Sequence, residues 1–129
     1  MNIELMKQSL LACKRRAYEN HIDKLREKCF GVNERLQNIR IGNRKLNCLR
    51  WHNNESRQHI LKKLNICIEL KELKHEFICE AIFTNGSRAD VVDLTSGIIY
   101  EILVSEDEEK FYEKIKKYPK EFRVIKVKA

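Results

Sequence analysis

Asp90 and Glu101 are charged residues in runs that otherwise read as apolar. Val91, Val92 and Leu94 follow the first, and Ile98, Ile99, Tyr100, Ile102 and Leu103 surround the second. β-Branched and aromatic runs bounded by Gly86-Ser87 and Ser96-Gly97 are the pattern of two short strands. A carboxylate in such a run is costly unless it is paired or bound to a cation. With Ser96-Gly97 as a two-residue hairpin turn, Thr95 pairs with Ile98, Val92 with Glu101 and Asp90 with Leu103. Asp90 and Glu101 then become diagonal neighbours on one face, roughly 7–8 Å apart at the backbone. Two carboxylates so placed can converge on one Mg2+, or Mn2+, since hard cations take oxygen ligands. Such an ion polarises a phosphate ester and lowers the pKa of a bound water. A nearby lysine would orient that water or offset the developing charge. A three-residue turn would send the two acids to opposite faces.

Simpler partners exist for both acids. Arg88 lies two residues from Asp90, and an arginine of the N-terminal region could pair with Glu101. A two-residue turn at Asn85-Gly86 pairs Thr84 with Ser87 and sets Glu80 opposite Val91, on the face away from Asp90. Asp93 reads as turn or surface chemistry. Glu55 fits the first turn of a helix, where the dipole favours acids, and His59 follows one turn later. Cys48 and His52, taken with Cys13 and Cys29, have the ligand types of a zinc site, but Cys13 and Cys29 are too far apart to form a compact pair.

These residues need elements to position them. Leu10, Cys13, Ala17, His21, Leu25 and Cys29 recur at helical spacing, and Val32, Leu36 and Ile39 suggest a shorter helix ending near Gly42. Residues 42–53, with the single tryptophan Trp51, read as a connection. Asn53 or Asn54 caps a helix from Glu55 to about Lys74, with Ile60, Leu61, Leu64, Cys67, Ile68 and Leu73 as its apolar stripe. Residues 77–83 form a strand, and the Asp90 and Glu101 strands follow. Ser105 caps a further helix that buries Phe111, Ile115 and Tyr118 and stops at Pro119, and residues 122–127 are a last strand. That strand arrives by a helical crossover and should lie parallel to a central strand.

The 129 residues carry a net charge of +7, and the excess is confined to one end. Residues 1–54 hold 12 Lys and Arg against 5 Asp and Glu, whereas residues 55–129 hold 14 of each. A basic block of this kind favours a polyanion, most simply nucleic acid, with Lys14, Arg15, Arg16 and Arg40 placed to meet phosphates. The apolar stripe of the same region would also suit a homodimer. No apolar run approaches the ~20 residues of a membrane span, and no leader pattern opens the chain. Five cysteines on helical and strand positions suggest reduced, buried thiols and a cytoplasmic setting, in a cell or in a virus's host.

The order helix, three strands, helix, strand, with Arg88-Ala89-Asp90 in the second strand and Tyr100-Glu101-Ile102-Leu103 in the third, resembles the PD-(D/E)XK nuclease superfamily. More narrowly, it is similar to the archaeal and viral branch of small Holliday-junction resolvases. The resemblance covers residues 55–129. It implies an α/β, restriction-endonuclease-like mixed sheet flanked by helices (an αβββαβ core), preceded by a basic helical extension over residues 1–54. It also implies metal-dependent cleavage of DNA or RNA phosphodiesters. Asp90 and Glu101 match the family's metal-binding pair, and Glu55 resembles the additional helical Glu of the resolvase-like branch. The family's motif ends in Lys where this chain has Leu103, so the resemblance looks to Lys110 or Lys114 for that role, or to a fold that binds nucleic acid without cutting it. Arg88 would join the nucleic-acid contacts.

Overall fold

The computed structural model describes residues 3, 8, 14–20, 31–104 and 108–129. The chain forms two compact units, residues 1–31 and residues 32–129. Residues 32–54 therefore pack with the sheet. In the first unit residues 14–20 are helical and exposed, Lys14, Arg15 and Arg16 among them. Cys13, Cys29 and Ser105 lie outside the described residues.

The second unit is α/β: α1 (Arg57–Glu72), β1 (Phe77–Ile82), β2 (Arg88–Asp93), β3 (Ile98–Leu103), α2 (Glu108–Ile115) and β4 (Arg123–Lys128). The four strands make one mixed sheet in the order β1-β2-β3-β4, with β1–β2 and β2–β3 antiparallel. β4 returns through α2 and pairs parallel to β3, as a helical crossover requires. Among the described residues no helix is long and apolar enough to cross a membrane.

α1 starts two residues later than expected. Ser56 is the N-cap, and its hydroxyl accepts the His59 amide at 3.2 Å, satisfying one of the free N–H groups of the first turn. Glu55 thus precedes the helix. The buried line on α1 is Lys63, Ile66, Cys67 and Leu70, while Leu61, Ile68 and Leu73 are exposed. The helix is rotated relative to its apolar periodicity, and Lys63 on the buried line meets ionic partners in Glu55 and Glu80. The helix ends with Lys74 at φ 60° and the His75 amide bonded back to the Leu70 carbonyl at 2.9 Å, a left-handed cap.

The second helix of the sequence reading stops at residue 36. Ile39 instead forms a bridge with Phe83, and a short 3-10 turn covers Ile41–Asn43. The supposed connection that follows works as an edge cover. Asn43 Oδ1 accepts the Ile82 amide at 2.9 Å, Asn47 Oδ1 accepts the Phe77 amide at 3.1 Å, and the Asn47 amide donates to the Phe77 carbonyl at 2.8 Å. These bonds occupy backbone groups of β1 that an open edge would leave exposed.

Both hairpin loops are longer than two residues. The β1–β2 loop is Thr84–Gly86, closed by the Phe83 amide on the Ser87 carbonyl at 2.8 Å, with Gly86 at φ 89°. The added residue shifts the register by one, so that Cys79 pairs with Val91 and Ala81 with Ala89. Glu80 therefore lies opposite Asp90, not Val91. The β2–β3 loop is Leu94–Gly97, and Asp93 pairs with Ile98 and Val91 with Tyr100. That register sets Asp90 opposite Glu101 rather than Leu103.

Apolar side chains fill both faces of the sheet. Ile66, Cys67 and Leu70 of α1 pack on Phe77, Cys79, Val91 and Ile102. Val32 and Ile39, with Tyr118 and Phe122, pack with Ile78, Ala81, Phe83, Ala89, Val92 and Ile99 in a second cluster. Fully burying a side chain such as Phe83 contributes about 1.5–3 kcal/mol.

Candidate active site

The two clusters show where strand alternation fails. Ile78 and Ala81 belong to one cluster and Cys79 to the other, and Ala89 and Val92 repeat the pattern around Val91. A spacing of three breaks the period of two. The break falls on Glu80 and Asp90, and Glu80 sits at φ 53°. A left-handed conformation costs a non-glycine residue about 1–2 kcal/mol, and such strain concentrates at functional sites. It turns the Glu80 carboxylate toward α1, where the sequence reading had set it facing away.

At Asp90 the β2–β3 ladder passes from backbone to side chains. The Asp90 amide donates to Glu101 Oε1 at 3.3 Å, and the Ile102 amide donates to Asp90 Oδ2 at 2.8 Å. Glu101 is 1% exposed. Its Oε1 also accepts the Tyr118 hydroxyl, and its Oε2 accepts Lys114 Nζ at 2.9 Å. Burial and the neighbouring Asp90 push the Glu101 carboxyl above the usual range, against the pull of Lys114 and Tyr118. Burial beside Glu101 also pushes the Tyr118 hydroxyl up. Asp90 pairs with His59, whose Nε2 is 3.5 Å from Oδ1, rather than with Arg88. Glu101 takes Lys114 where an N-terminal arginine was one alternative.

His59 joins this pair to a second cluster. Its Nδ1 lies 3.0 Å from Glu55 Oε2, and the hydrogen bond to Asp90 raises its pKa against the effect of burial. Lys63, fully buried, donates to Glu55 Oε1 at 2.8 Å and Oε2 at 2.9 Å, to Glu80 and to the Arg50 carbonyl at 3.1 Å. Burial alone would raise Glu55, but Lys63, His52 and His59 bring its pKa down to about 2. Burial holds Glu80 up despite Lys63. His52 Nε2 is 2.8 Å from Glu80 Oε2.

Two adjoining hollows connect the set. Glu55, His59, Glu80, Asp90 and Lys114 line one, and His59, Asp90, Glu101, Leu103, Lys110 and Lys114 line the other. The structure thus brings together Asp90, Glu101, Glu55 and Lys114. Arg88 is exposed at the rim, with NH1 3.5 Å from His52 Nε2. Arg40 is exposed beside the Gly86 turn. Asp93 is buried, accepting Thr95 and Ser96 in the second hairpin loop and pairing with His75 at 2.9 Å. It is turn chemistry, but not surface. Cys48 is half-buried, and Cys67 and Cys79 are buried thiols.

Lys63 and Tyr118 are the site residues that sequence reasoning missed, and His52, read there as a zinc candidate with Cys48, pairs with Glu80 instead. A usable signal was the interval of four between His59 and Lys63, which stacks them along one side of α1, with Glu55 just ahead of its cap. No residue pattern around Glu80 signals its left-handed backbone.

The two acidic groups differ in how they could receive a cation. His52, Glu55 and Glu80 offer ligand atoms within 4.8 Å of one another, the one such trio among the described residues. The Lys63 ammonium already lies between its two carboxylates. Asp90 and Glu101 instead oppose like charge to like charge, and among the described residues the half-exposed Lys114 pairs with Glu101 and the largely buried His59 with Asp90. Comparison with protein-family models, with curated proteins and with solved structures gives no match to this chain.

Proposed function

We propose that this chain is a metal-dependent nuclease that hydrolyses phosphodiester bonds, with DNA as its first substrate, on a PD-(D/E)XK-type core. One observation carries the reading: Asp90 and Glu101 meet where β2 and β3 exchange side-chain for backbone bonds, with Lys114 and His59 in the same hollows. Asp90 and Glu101 would hold Mg2+ or Mn2+. The bound ion would polarise the phosphate and acidify a water. Lys114, anchored on Glu101 at 2.9 Å, takes the place the family gives to its motif lysine and offsets charge gathering on the phosphate oxygens. Glu55 acts through His59, fixing the ring that faces Asp90. Tyr118 holds Glu101 in place through its hydroxyl. Arg88 and Arg40, with Lys14, Arg15 and Arg16, would contact backbone phosphates, so affinity should fall steeply with salt.

Leu103 in the motif's lysine position favours a second reading, a nuclease fold that binds nucleic acid without cutting it. Supercoiled plasmid and branched and single-stranded oligonucleotides, each with Mg2+ or Mn2+, separate the two. Cleavage that drops at least ~100-fold in folded Asp90→Ala and Lys114→Met supports the nuclease. Salt-sensitive binding without cleavage supports the second reading. Equal cleavage by Asp90→Ala removes the first.

A further inference from the structure

Beside the candidate site lies a cavity of about 400 Å3, within the ~300–1,000 Å3 range of small-ligand pockets. Arg50, Trp51, His52, Ile82, Glu80 and Arg88 line it, and the last two with His52 also line the hollow that holds Asp90. Cavity and candidate site are therefore one continuous surface. Trp51 is 55% exposed, an unusual position for the largest apolar side chain. Its chain neighbours are held by backbone bonds. The Arg50 carbonyl accepts Lys63 at 3.1 Å, the His52 amide donates to Glu55 at 3.1 Å, and the Glu55 amide donates back to the His52 carbonyl at 3.1 Å. Both neighbours of Trp51 are thus tied to candidate-site residues although residues 44–52 form no helix or strand.

An exposed indole lining one cavity with Arg50 and Arg88 has the chemistry of a stacking platform for a nucleic-acid base, with the arginines at hand for its phosphates. A base within a duplex has its faces covered by its neighbours and cannot use such a platform. We infer that the Trp51 cavity binds an unpaired base of a DNA or RNA strand next to the phosphate held at Asp90 and Glu101. The inference rests on the nuclease reading only for that adjacency. A substrate with a single-stranded or flipped-out nucleotide then seats better than a continuous duplex.

Trp51 is the only tryptophan, so its fluorescence reports the cavity directly. Oligothymidylate or oligouridylate of about ten nucleotides, titrated with EDTA present, should quench it. Abasic strands of equal length and blunt duplex should leave it nearly unchanged. The deoxy and ribo strands show which sugar is preferred. By anisotropy of a labelled strand, Trp51→Ala should weaken single-strand binding by about tenfold or more, and Trp51→Phe should restore most of it. Duplex binding should be equal in all three proteins. Equal quenching by abasic strand or duplex, or equal single-strand affinity in Trp51→Ala, overturns the inference. Because the titration holds no metal, it reports the base site alone; quenching there, with no cleavage in the separate Mg2+ or Mn2+ assay, would leave the base site standing while the nuclease reading fell. Cleavage without quenching would do the reverse.

Discussion

The Asp90 amide donates to the Glu101 carboxylate across β2 and β3, in the position where an antiparallel ladder would offer a carbonyl. Burial first, and then the neighbouring Asp90, push the Glu101 carboxyl above its ordinary pKa of 4.5. The ionised form is the one disfavoured on folding, so this contribution is most favourable below pH 4.5 and is lost as pH rises through the folded pKa. Glu101→Gln removes that charge and should leave the metal-free protein as stable at pH 7 as the parent, or more so, with a flatter stability–pH profile above pH 4.5. Urea denaturation across pH checks this. A clear loss of stability at pH 7 would show that Lys114 and Tyr118 more than offset the burial.

Lys63 and its two carboxylates make the opposite case. Here the lysine is fully buried and both acids depend on it. Lys63→Met leaves Glu55 and Glu80 facing each other without a cation and should cost about 3–5 kcal/mol. Adding Glu80→Gln should recover part of that loss. Equilibrium unfolding of the single and double variants tests the coupling, and strict additivity would argue against it.

The two loop glycines should respond unequally to substitution. Gly97 has φ 73°, and a Cβ there would lie 2.8 Å from Arg35 Nε. Arg35 NH1 holds the Leu94 and Thr95 carbonyls at 2.6 and 2.8 Å. Gly97→Ala thus adds steric displacement of Arg35 to backbone strain. Gly86, at φ 89°, meets only Arg40 NH2 at 3.5 Å. Gly86→Ala should cost about 1–2 kcal/mol from strain alone, and Gly97→Ala at least ~1 kcal/mol more. Thermal melts of the two variants rank them.

The element order was legible because periodicity and turn residues marked each element, though not each exact boundary, from the first core helix to the last strand. Asp90 and Glu101, expected as diagonal neighbours and found opposite each other, kept a common face despite a wrong loop length because the error there was even. Two residues expected and four found move the register by two and keep side chains on their faces. At Asn85-Gly86 the error was one residue, since Asn-Gly also suits a three-residue loop whose glycine is left-handed. That single step carried Glu80 from Val91 to Asp90. Lys63 was hidden for another reason. A buried lysine declares itself only with its partners, and Glu80 comes from a different element. On α1 the apolar count pointed to Leu61 and Ile68, and the ionic cluster prevailed.

Calorimetric titration of Mn2+ tests the central claim most directly, because it asks which acids hold the ion. We predict one site per chain, abolished in Asp90→Asn and in Glu101→Gln and retained in His52→Ala. Binding that survives Asp90→Asn but vanishes in His52→Ala would place the ion among His52, Glu55 and Glu80 and contradict the account.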